Sequence, residues 1–209
     1  MQVTDDRSAA APRNWNHNAA YYRFARRGVP PAGRDLLDVG CGDGQLAREL
    51  AGPGRRVLGL DPSPEMVAAA RAASAGITGL AFEQDDFLTR EIPEASYDFV
   101  SFVASLQHMD QAAALAKAAK VLRPGGRLVV IGLARDVTKA DMAVAAVYAP
   151  LSWFGSLRPD FANPEGMPIK MPELSWREMR ELAQRVLPGA RLRRRVYWRY
   201  TLAWTKPSP

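Results

Sequence analysis

The segment LLDVGCGDGQLA, residues 36–47, decides the fold of this chain. The apolar run Asp35–Val39 predicts a β-strand, and Gln45–Leu50 predicts a helix. Three glycines at alternate positions join the two: Gly40, Gly42 and Gly44. Glycines let a backbone take up unusual dihedral angles and approach a ligand closely. Such a loop is typical of nucleotide-cofactor sites at the carboxyl edge of an open sheet, although a tight strand-to-helix turn without a ligand would use the same residues.

Strands and helices continue to alternate after this segment. Apolar runs predict strands at 56–60, 80–84, 97–103 and 127–132, and helical patterns occupy 65–74, 110–122 and 176–187. Strands alternating with helices imply parallel pairing through right-handed crossovers. Two further strands, at 191–196 and 200–205, predict an antiparallel hairpin. The predicted fold is therefore α/β: a Rossmann-like three-layer sandwich with a mostly parallel seven-stranded sheet, helices on both faces and a C-terminal antiparallel hairpin.

The 209 residues fit a single domain with one sizeable core. Residues 1–13 are rich in alanine and charge, and we expect them to be disordered. Residues 14–30 are expected to form an N-terminal lid helix, which ends at a turn rich in glycine and proline. Residues 134–172 contain several prolines and an Ala, Met and aromatic stretch. We expect them to be a cap insertion over the active site.

Composition limits the location and the partners of the chain. The formal net charge of +6 raises the chance of a nucleic-acid or acidic partner, but most arginines are scattered, and the run Arg191–Arg195 is typical of a solvated sheet edge. Cys41 is the only cysteine, so no internal disulfide forms and a cytoplasmic location is expected. The sequence shows no signal peptide, and no apolar stretch is long enough to span a membrane.

Asp61 is the second informative residue. It ends the second predicted strand and lies 17 residues beyond Gly44. An acidic side chain at this place can accept hydrogen bonds from both hydroxyls of a ribose. The alternative is an aspartate favoured by the dipole at a helix N-terminus. The glycine loop that precedes Asp61 favours the ribose interpretation.

Five stretches in this order resemble the class I S-adenosylmethionine-dependent methyltransferases, of the bacterial type that acts on small molecules. They are LLDVGCGDGQLA (36–47), VLGLDPSPEMVAAAR (57–71), FEQDDF (82–87), YDFVSFVASLQHM (97–109) and VLRPGGRLVVIG (121–132). The resemblance covers about 35–132 closely, and the predicted helix and hairpin at 176–206 agree with the end of the family fold. The ordered set is more specific than any single stretch.

The resemblance implies that S-adenosylmethionine is the cofactor and S-adenosylhomocysteine the product. Its first motif implies that the loop backbone packs against the cofactor and that the acidic residue helps to place the methionine moiety. In this chain the motif comprises Asp38, Gly40, Cys41, Gly42 and Gly44. Cys41 is best interpreted as a small buried filler of that loop rather than a nucleophile.

The later motifs imply contacts with the remainder of the cofactor. Asp61 would grip the ribose, with Pro62 beside the adenine. Asp86 would face the adenine amino group and Phe87 would supply a backbone amide, although the neighbouring Asp85 could take the place of Asp86. Further contacts are implied for Val103 and Ala104 at the methionine end, and for Tyr21 on the lid helix.

Methyl transfer is an in-line displacement at a sulfonium with a neutral leaving group, so the enzyme mainly aligns the reactants and excludes water. A base is needed only when the acceptor keeps its proton at neutral pH. His108 follows the fourth strand and is the candidate general base, with packing at a helix start as the alternative. The candidate substrate contacts are His17, Tyr22, Tyr148 and Trp153. No metal ion is predicted.

The predicted function is methyl transfer to a small-molecule acceptor by a monomer or homodimer. An RNA methyltransferase is the first alternative, but the Asn/Asp-Pro-Pro-aromatic motif of amino-directed enzymes is missing after the fourth strand. An NAD(P)-dependent oxidoreductase would have Gly or Ala where this chain has Gln45. A non-catalytic cofactor-binding protein is disfavoured by the intact glycine loop and the intact Asp61.

Overall fold

The computed structural model describes residues 21–133, 172–195 and 199–208, and within them the chain forms one seven-stranded sheet. The strands are β1 (Asp35–Val39), β2 (Arg56–Asp61), β3 (Leu80–Gln84), β4 (Tyr97–Val103), β5 (Leu122–Leu133), β6 (Arg191–Arg194) and β7 (Arg199–Thr205). Their order across the sheet is β3-β2-β1-β4-β5-β7-β6. The first five strands pair in parallel, and β7 is antiparallel to both β5 and β6. The predicted mostly parallel sheet with an antiparallel hairpin is confirmed.

Helices cover both faces of the sheet. Those of the described residues are α1 (Tyr22–Gly28), α2 (Gln45–Leu50), α3 (Pro64–Ala72), α4 (Gln111–Val121) and α5 (Trp176–Val186), and a 3-10 turn lies at Leu106–His108. Because side chains alternate across a strand, Leu36 packs with α1, α2 and α3, whereas Leu37 packs with α4 and α5. The result is two buried clusters separated by the sheet, as the three-layer prediction requires.

Side-chain caps fix where three of these helices begin. Ser63 accepts a hydrogen bond from the Met66 amide at the start of α3, and Asp110 accepts one from the Ala113 amide at the start of α4. Ser175 and Glu178 form a reciprocal capping box at the start of α5. Each cap satisfies an amide that has no partner within its helix.

The segment Arg123–Gly126, between the helix predicted at 110–122 and the strand predicted at 127–132, lies inside β5. The pairing with β4 jumps from Tyr97 opposite Leu122 to Phe99 opposite Arg127, so these four residues bulge out of the ladder. Gly125 takes a φ of 77°, and its amide donates to the Lys206 carbonyl at 2.9 Å. Because Lys206 is remote in the sequence, the local pattern did not predict this pairing.

Phe82 on β3 fills the space above two glycines. A Cβ added at Gly59 would lie 2.5 Å from Cδ1 of the Phe82 ring and 2.9 Å from Sγ of Cys41. A Cβ at Gly44 would lie 2.5 Å from the same ring. These contacts are shorter than packed atoms tolerate, so the glycines are required by packing between β2, β3 and the loop after β1.

The substitution Gly59→Ala tests this packing. We expect it to lower the free energy of unfolding by about 1–3 kcal/mol, because the new methyl group must displace the Phe82 ring. Gly52→Ala is the matched control, since nothing lies within 4 Å of its Cβ position. Urea denaturation of the two variants measures the difference. Equal stabilities would contradict the tight contact between β2 and Phe82.

Candidate functional site

A cavity of about 200 Å³ opens at the carboxyl edge of β1, β2 and β4. In a sheet of this order the chain proceeds from β1 through β2 to β3 in one direction and from β4 to β5 in the other. Ligands bind at the crevice between β1 and β4, where the direction changes. Nine predicted site residues line the cavity: Gly40, Gly42, Asp61, Pro62, Asp86, Phe87, Val103, Ala104 and His108. The structure therefore gathers residues from four separated stretches of the chain.

Hydrogen bonds attach the glycine loop to β2. The amides of Gly40 and Cys41 both donate to the Leu60 carbonyl, at 2.7 and 3.0 Å. The Gly42 amide donates to Oδ2 of Asp61 at 2.9 Å. Gly40 and Gly42 adopt φ values of 68° and 55°, which strain any residue with a Cβ. The loop thus turns sharply and keeps its backbone against the cavity.

The same loop is held on its other side by β4. Oγ of Ser105 donates to the Val39 carbonyl at 2.5 Å. A Cβ on Gly40 would lie 2.3 Å from Cβ of Ser105, so the loops after β1 and β4 touch at this point. Glycine at position 40 is therefore needed for contact between two loops, in addition to any contact with a ligand.

Asp61 lies at the rim of the cavity with 9% of its surface exposed. Its Oδ1 accepts from the Ser63 amide at 3.0 Å, and its Oδ2 accepts from the Gly42 amide. Each carboxylate oxygen has a second lone pair, so both remain able to accept from hydroxyl groups. Two amides fix the orientation of this carboxylate before any ligand arrives.

The two adjacent aspartates after β3 have different partners. Asp85 accepts from Nη1 of Arg90 at 2.8 Å, and Arg90 also pairs with Glu83 at 2.7 Å. Asp86 is exposed, and its Oδ1 accepts from the Leu88 amide at 2.7 Å. An ion pair therefore occupies Asp85, whereas Asp86 keeps a carboxylate oxygen without a charged partner among the described residues.

Phe87 lines the cavity but directs its ring into the core. The ring lies edge-on to Phe102, with centroids 5.5 Å apart and planes at 80°. The contact between the two rings anchors this part of the cavity lining to the core.

The chain leaves β4 through a residue in a left-handed conformation. Ala104 has a φ of 54°, and its amide donates to the Ile131 carbonyl at 2.7 Å. Nε2 of Gln107 donates to the Ala104 carbonyl at 2.8 Å, while Oε1 of Gln107 is buried and has no hydrogen-bond partner within the described part of the chain. Non-glycine residues in this region are strained, and such strain collects at functional sites. Two hydrogen bonds thus hold Ala104 in its place in the cavity wall.

Asp38 lies behind the cavity and does not line it. It is fully buried on β1, and Oγ of Ser101 donates to its Oδ1 at 2.8 Å. Burial raises the pKa of Asp38 to about 7, opposed by the Ser101 hydrogen bond and helped by the charge of Asp61. Sequence reasoning placed Asp38 in the site but gave no indication of its burial.

The other predicted contacts lie away from the cavity. Cys41 is buried against Gly59, and burial raises the pKa of its thiol, which agrees with a filler and argues against a nucleophile. Gly44 faces Phe82. Tyr21 and Tyr22 are buried on the face of the sheet that α1 covers, and neither lines the cavity. His17, Tyr148 and Trp153, like the predicted cap, lie outside the described residues, except for Pro172 at its end.

Several lining residues were not predicted. They are Val39, Leu60, Ser63, Met66, Ser105 and Met109, whereas Asp85, the predicted alternative to Asp86, lines the cavity as well. Met66 stands one turn into α3, where its spacing from Val67 and Ala70 indicates only a helix face turned inward. Met109 is the last residue of the fourth motif and carried no chemical signal. The apolar wall of the cavity thus depends on tertiary packing, which local pattern does not reveal.

Comparison with known proteins identifies relatives of the chain. Residues 37–130 match the family model described as a methyltransferase domain. An uncharacterised methyltransferase of Mycobacterium bovis is 30% identical over 197 residues, which cover 92% of this chain and 98% of that protein. A ubiquinone biosynthesis O-methyltransferase of Xanthomonas axonopodis is 33% identical over 141 residues, or 63% of this chain and 56% of that protein.

The fold has solved counterparts. The crystal structure of a SAM-dependent methyltransferase from Methanosarcina mazei superposes with a TM-score of 0.62 at 17% identity, over 88% of this chain and 97% of that one. At this level of identity the likeness concerns the fold.

Within the described residues, no helix has the length and the apolar character needed to cross a membrane.

Asp38 makes the stability of the protein depend on pH. Its carboxyl titrates near 4 in an unfolded chain and at about 7 when folded, so the folded state binds the proton more tightly. Stability is therefore lost as pH rises from about 4 to about 7, and the loss is complete above that range. We expect Asp38→Asn to be more stable than the parent by a margin that is larger at pH 8 than at pH 5, measured by urea denaturation. A margin equal at both pH values would mean that Asp38 is ionised before and after folding.

Proposed function

This chain belongs to the class I S-adenosylmethionine-dependent methyltransferases, and we propose that its methyl acceptor is a small molecule with a hydroxyl group. One observation carries the proposal: His108 opens onto the same cavity as the residues that match the cofactor motifs. The relative from Xanthomonas is an O-methyltransferase, which supports an oxygen acceptor.

The polar and apolar groups that line the cavity fit S-adenosylmethionine. The carboxylates of Asp61, Asp85 and Asp86 line the cavity, together with the backbone of Gly40 and Gly42. Apolar side chains, among them Met66, complete the lining. A cofactor with a sugar, an adenine and a cationic methionine end requires such a combination of hydrogen-bond acceptors and apolar surface.

In this proposal different residues contact the ribose, the adenine and the methionine end of the cofactor. Asp61, oriented by the amides of Gly42 and Ser63, accepts from the ribose hydroxyls. Asp86 faces the adenine amino group. Val103 and Ala104 bring backbone groups to the methionine end, with Ala104 fixed by Ile131 and Gln107. When bound, S-adenosylmethionine supplies an activated methyl group on a sulfonium sulfur.

His108 would accept the proton of the acceptor hydroxyl. It belongs to the 3-10 turn after β4, and its amide donates to the Ser105 carbonyl at 3.0 Å. Ser105 is itself attached to β1, so the turn that carries the imidazole is fixed relative to the glycine loop. Alignment of the acceptor oxygen then depends on a backbone that two strands hold in place.

Asp61→Ala tests the cofactor site. We expect it to weaken the binding of S-adenosylhomocysteine by about 1–3 kcal/mol, or about 5–150-fold, because ribose hydroxyls lose their acceptor. Asp43→Ala is the control: Asp43 belongs to the same loop, accepts from the Gln45 amide and does not line the cavity. Isothermal titration calorimetry measures both variants. An affinity unchanged in Asp61→Ala would remove Asp61 from the ribose role.

His108→Ala tests the general base. With a catechol as the probe acceptor and labelled S-adenosylmethionine, we expect turnover at pH 7 to fall by about 10²–10⁴-fold while S-adenosylhomocysteine still binds. The lost rate should return as pH rises, because the phenol then ionises in solution and needs no base. An alkylamine and an alkanethiol serve as comparison acceptors. Normal turnover of the variant between pH 6 and 9 would show that His108 only packs.

A further inference from the structure

Arginines gather on the edge of the sheet opposite to the cofactor cavity. A cleft of about 990 Å³ lies between α1, the turn before β1 and the turn before β2. Its lining includes five arginines: Arg23, Arg26, Arg27, Arg34 and Arg55. A second cleft of about 620 Å³ shares Arg27 and adds Arg127 and Arg191. The two clefts therefore meet at Arg27, and we call them together the arginine surface.

Little negative charge balances the arginine surface. Among the described residues, Glu49 is the one carboxylate that lines either cleft, and its Oε2 lies 3.5 Å from Nη1 of Arg26. Arg55 donates to the Leu50 carbonyl, which leaves its charge in place. The side chains of Arg23, Arg27 and Arg34 have no acidic partner among the residues that the structure describes. Seven cations thus face one carboxylate, and their mutual repulsion favours the arrival of anions.

The arginine surface is separate from the cofactor cavity. Arg34 precedes β1 and Arg55 precedes β2, so both stand where parallel strands begin. The cavity lies where those strands end, and the five residues of β1 span about 16 Å between the two edges. A ligand on this surface would leave the cofactor residues free.

We propose that the arginine surface binds single-stranded nucleic acid through its phosphates. Its cations are all arginines, whose planar guanidinium groups pair with phosphate oxygens in a bidentate manner. Two joined clefts suit an extended chain that carries a phosphate at every unit. The binding is independent of base sequence because phosphate contacts carry no sequence information.

Other anionic partners fit the surface less well. Stable protein interfaces depend on buried apolar or aromatic anchors, and membrane surfaces favour exposed ones. Ile77 is the one exposed large apolar residue in the described part of the chain, and it lines neither cleft. Tyr22 lines the first cleft but is itself buried. Phe24 and Trp204 line the second cleft, but Trp204 is buried, and Phe24 is half-buried with the Arg195 guanidinium 5.6 Å from its ring centroid. The described part of the surface therefore offers charge and concave shape without a fully exposed apolar anchor.

The test uses a triple variant and a control with the same change in net charge. Arg23→Gln, Arg27→Gln and Arg34→Gln remove cations that hold no acidic partner, so folding should be preserved. Arg177→Gln, Arg180→Gln and Arg185→Gln remove three exposed arginines of α5, which line neither cleft. The probe is a fluorescent 12-nucleotide single-stranded RNA, and its anisotropy is measured between 50 and 200 mM salt. S-adenosylhomocysteine affinity reports that both variants remain folded.

We expect the parent to bind the RNA and the triple variant to bind it at least tenfold more weakly at the lowest salt. The slope of log affinity against log salt should become shallower by about 2, since each phosphate contact on a single strand contributes about 0.7. The α5 variant should change affinity by less than about twofold, because its arginines lie outside the contact.

Three results would overturn the proposal. The first is no binding of the RNA by the parent at 50 mM salt. The second is an equal loss of RNA affinity in the two triple variants, which would show that the affinity depends on net charge alone. The third is competition by polyglutamate as strong as that by inorganic polyphosphate at equal charge, which would assign the surface to acidic proteins.

Discussion

The loop after β1 is fixed from both sides, and the site depends on that double attachment. β2 holds it through the Leu60 carbonyl and the Asp61 carboxylate. β4 holds it through Ser105, whose side chain touches the position above Gly40. A loop anchored in this manner cannot move without disturbing two strands. The residues that we propose as cofactor contacts are consequently preorganised by these hydrogen bonds, and little ordering remains to be done when a ligand binds.

The sequence predicts the strands and the order of the motifs because these follow from local patterns. Alternating strands and helices led to the parallel sheet, and the glycines with Asp61 located the crevice. What it missed comes from contacts between remote residues. Glycine is required at position 44 because a Cβ there would meet the ring of Phe82 on β3. The burial of Asp38 and the bulge at Arg123–Gly126 likewise depend on partners far along the chain.

The two edges of the sheet differ in their chemistry. The edge where the parallel strands end carries Asp61 and Asp86 beside a cavity of mixed polarity. The edge where they begin carries the arginine surface. Those arginines are scattered in the sequence between positions 23 and 191, and composition alone indicated only a basic chain. Folding thus gathers the scattered arginines at one edge of the sheet, and the length of the strands separates their positive charge from the carboxylates at the other edge.

The position of β7 also has a consequence for synthesis on the ribosome. β7 lies between β5 and β6, and Lys206 pairs with the bulge at Gly125 and Gly126. β5 therefore has one unpaired edge, next to a buried apolar run at Leu128–Ile131, until residues 199–206 have left the exit tunnel. An unpaired apolar edge is a template for intermolecular pairing. The nascent chain thus exposes such a template during the interval between the emergence of these two strands.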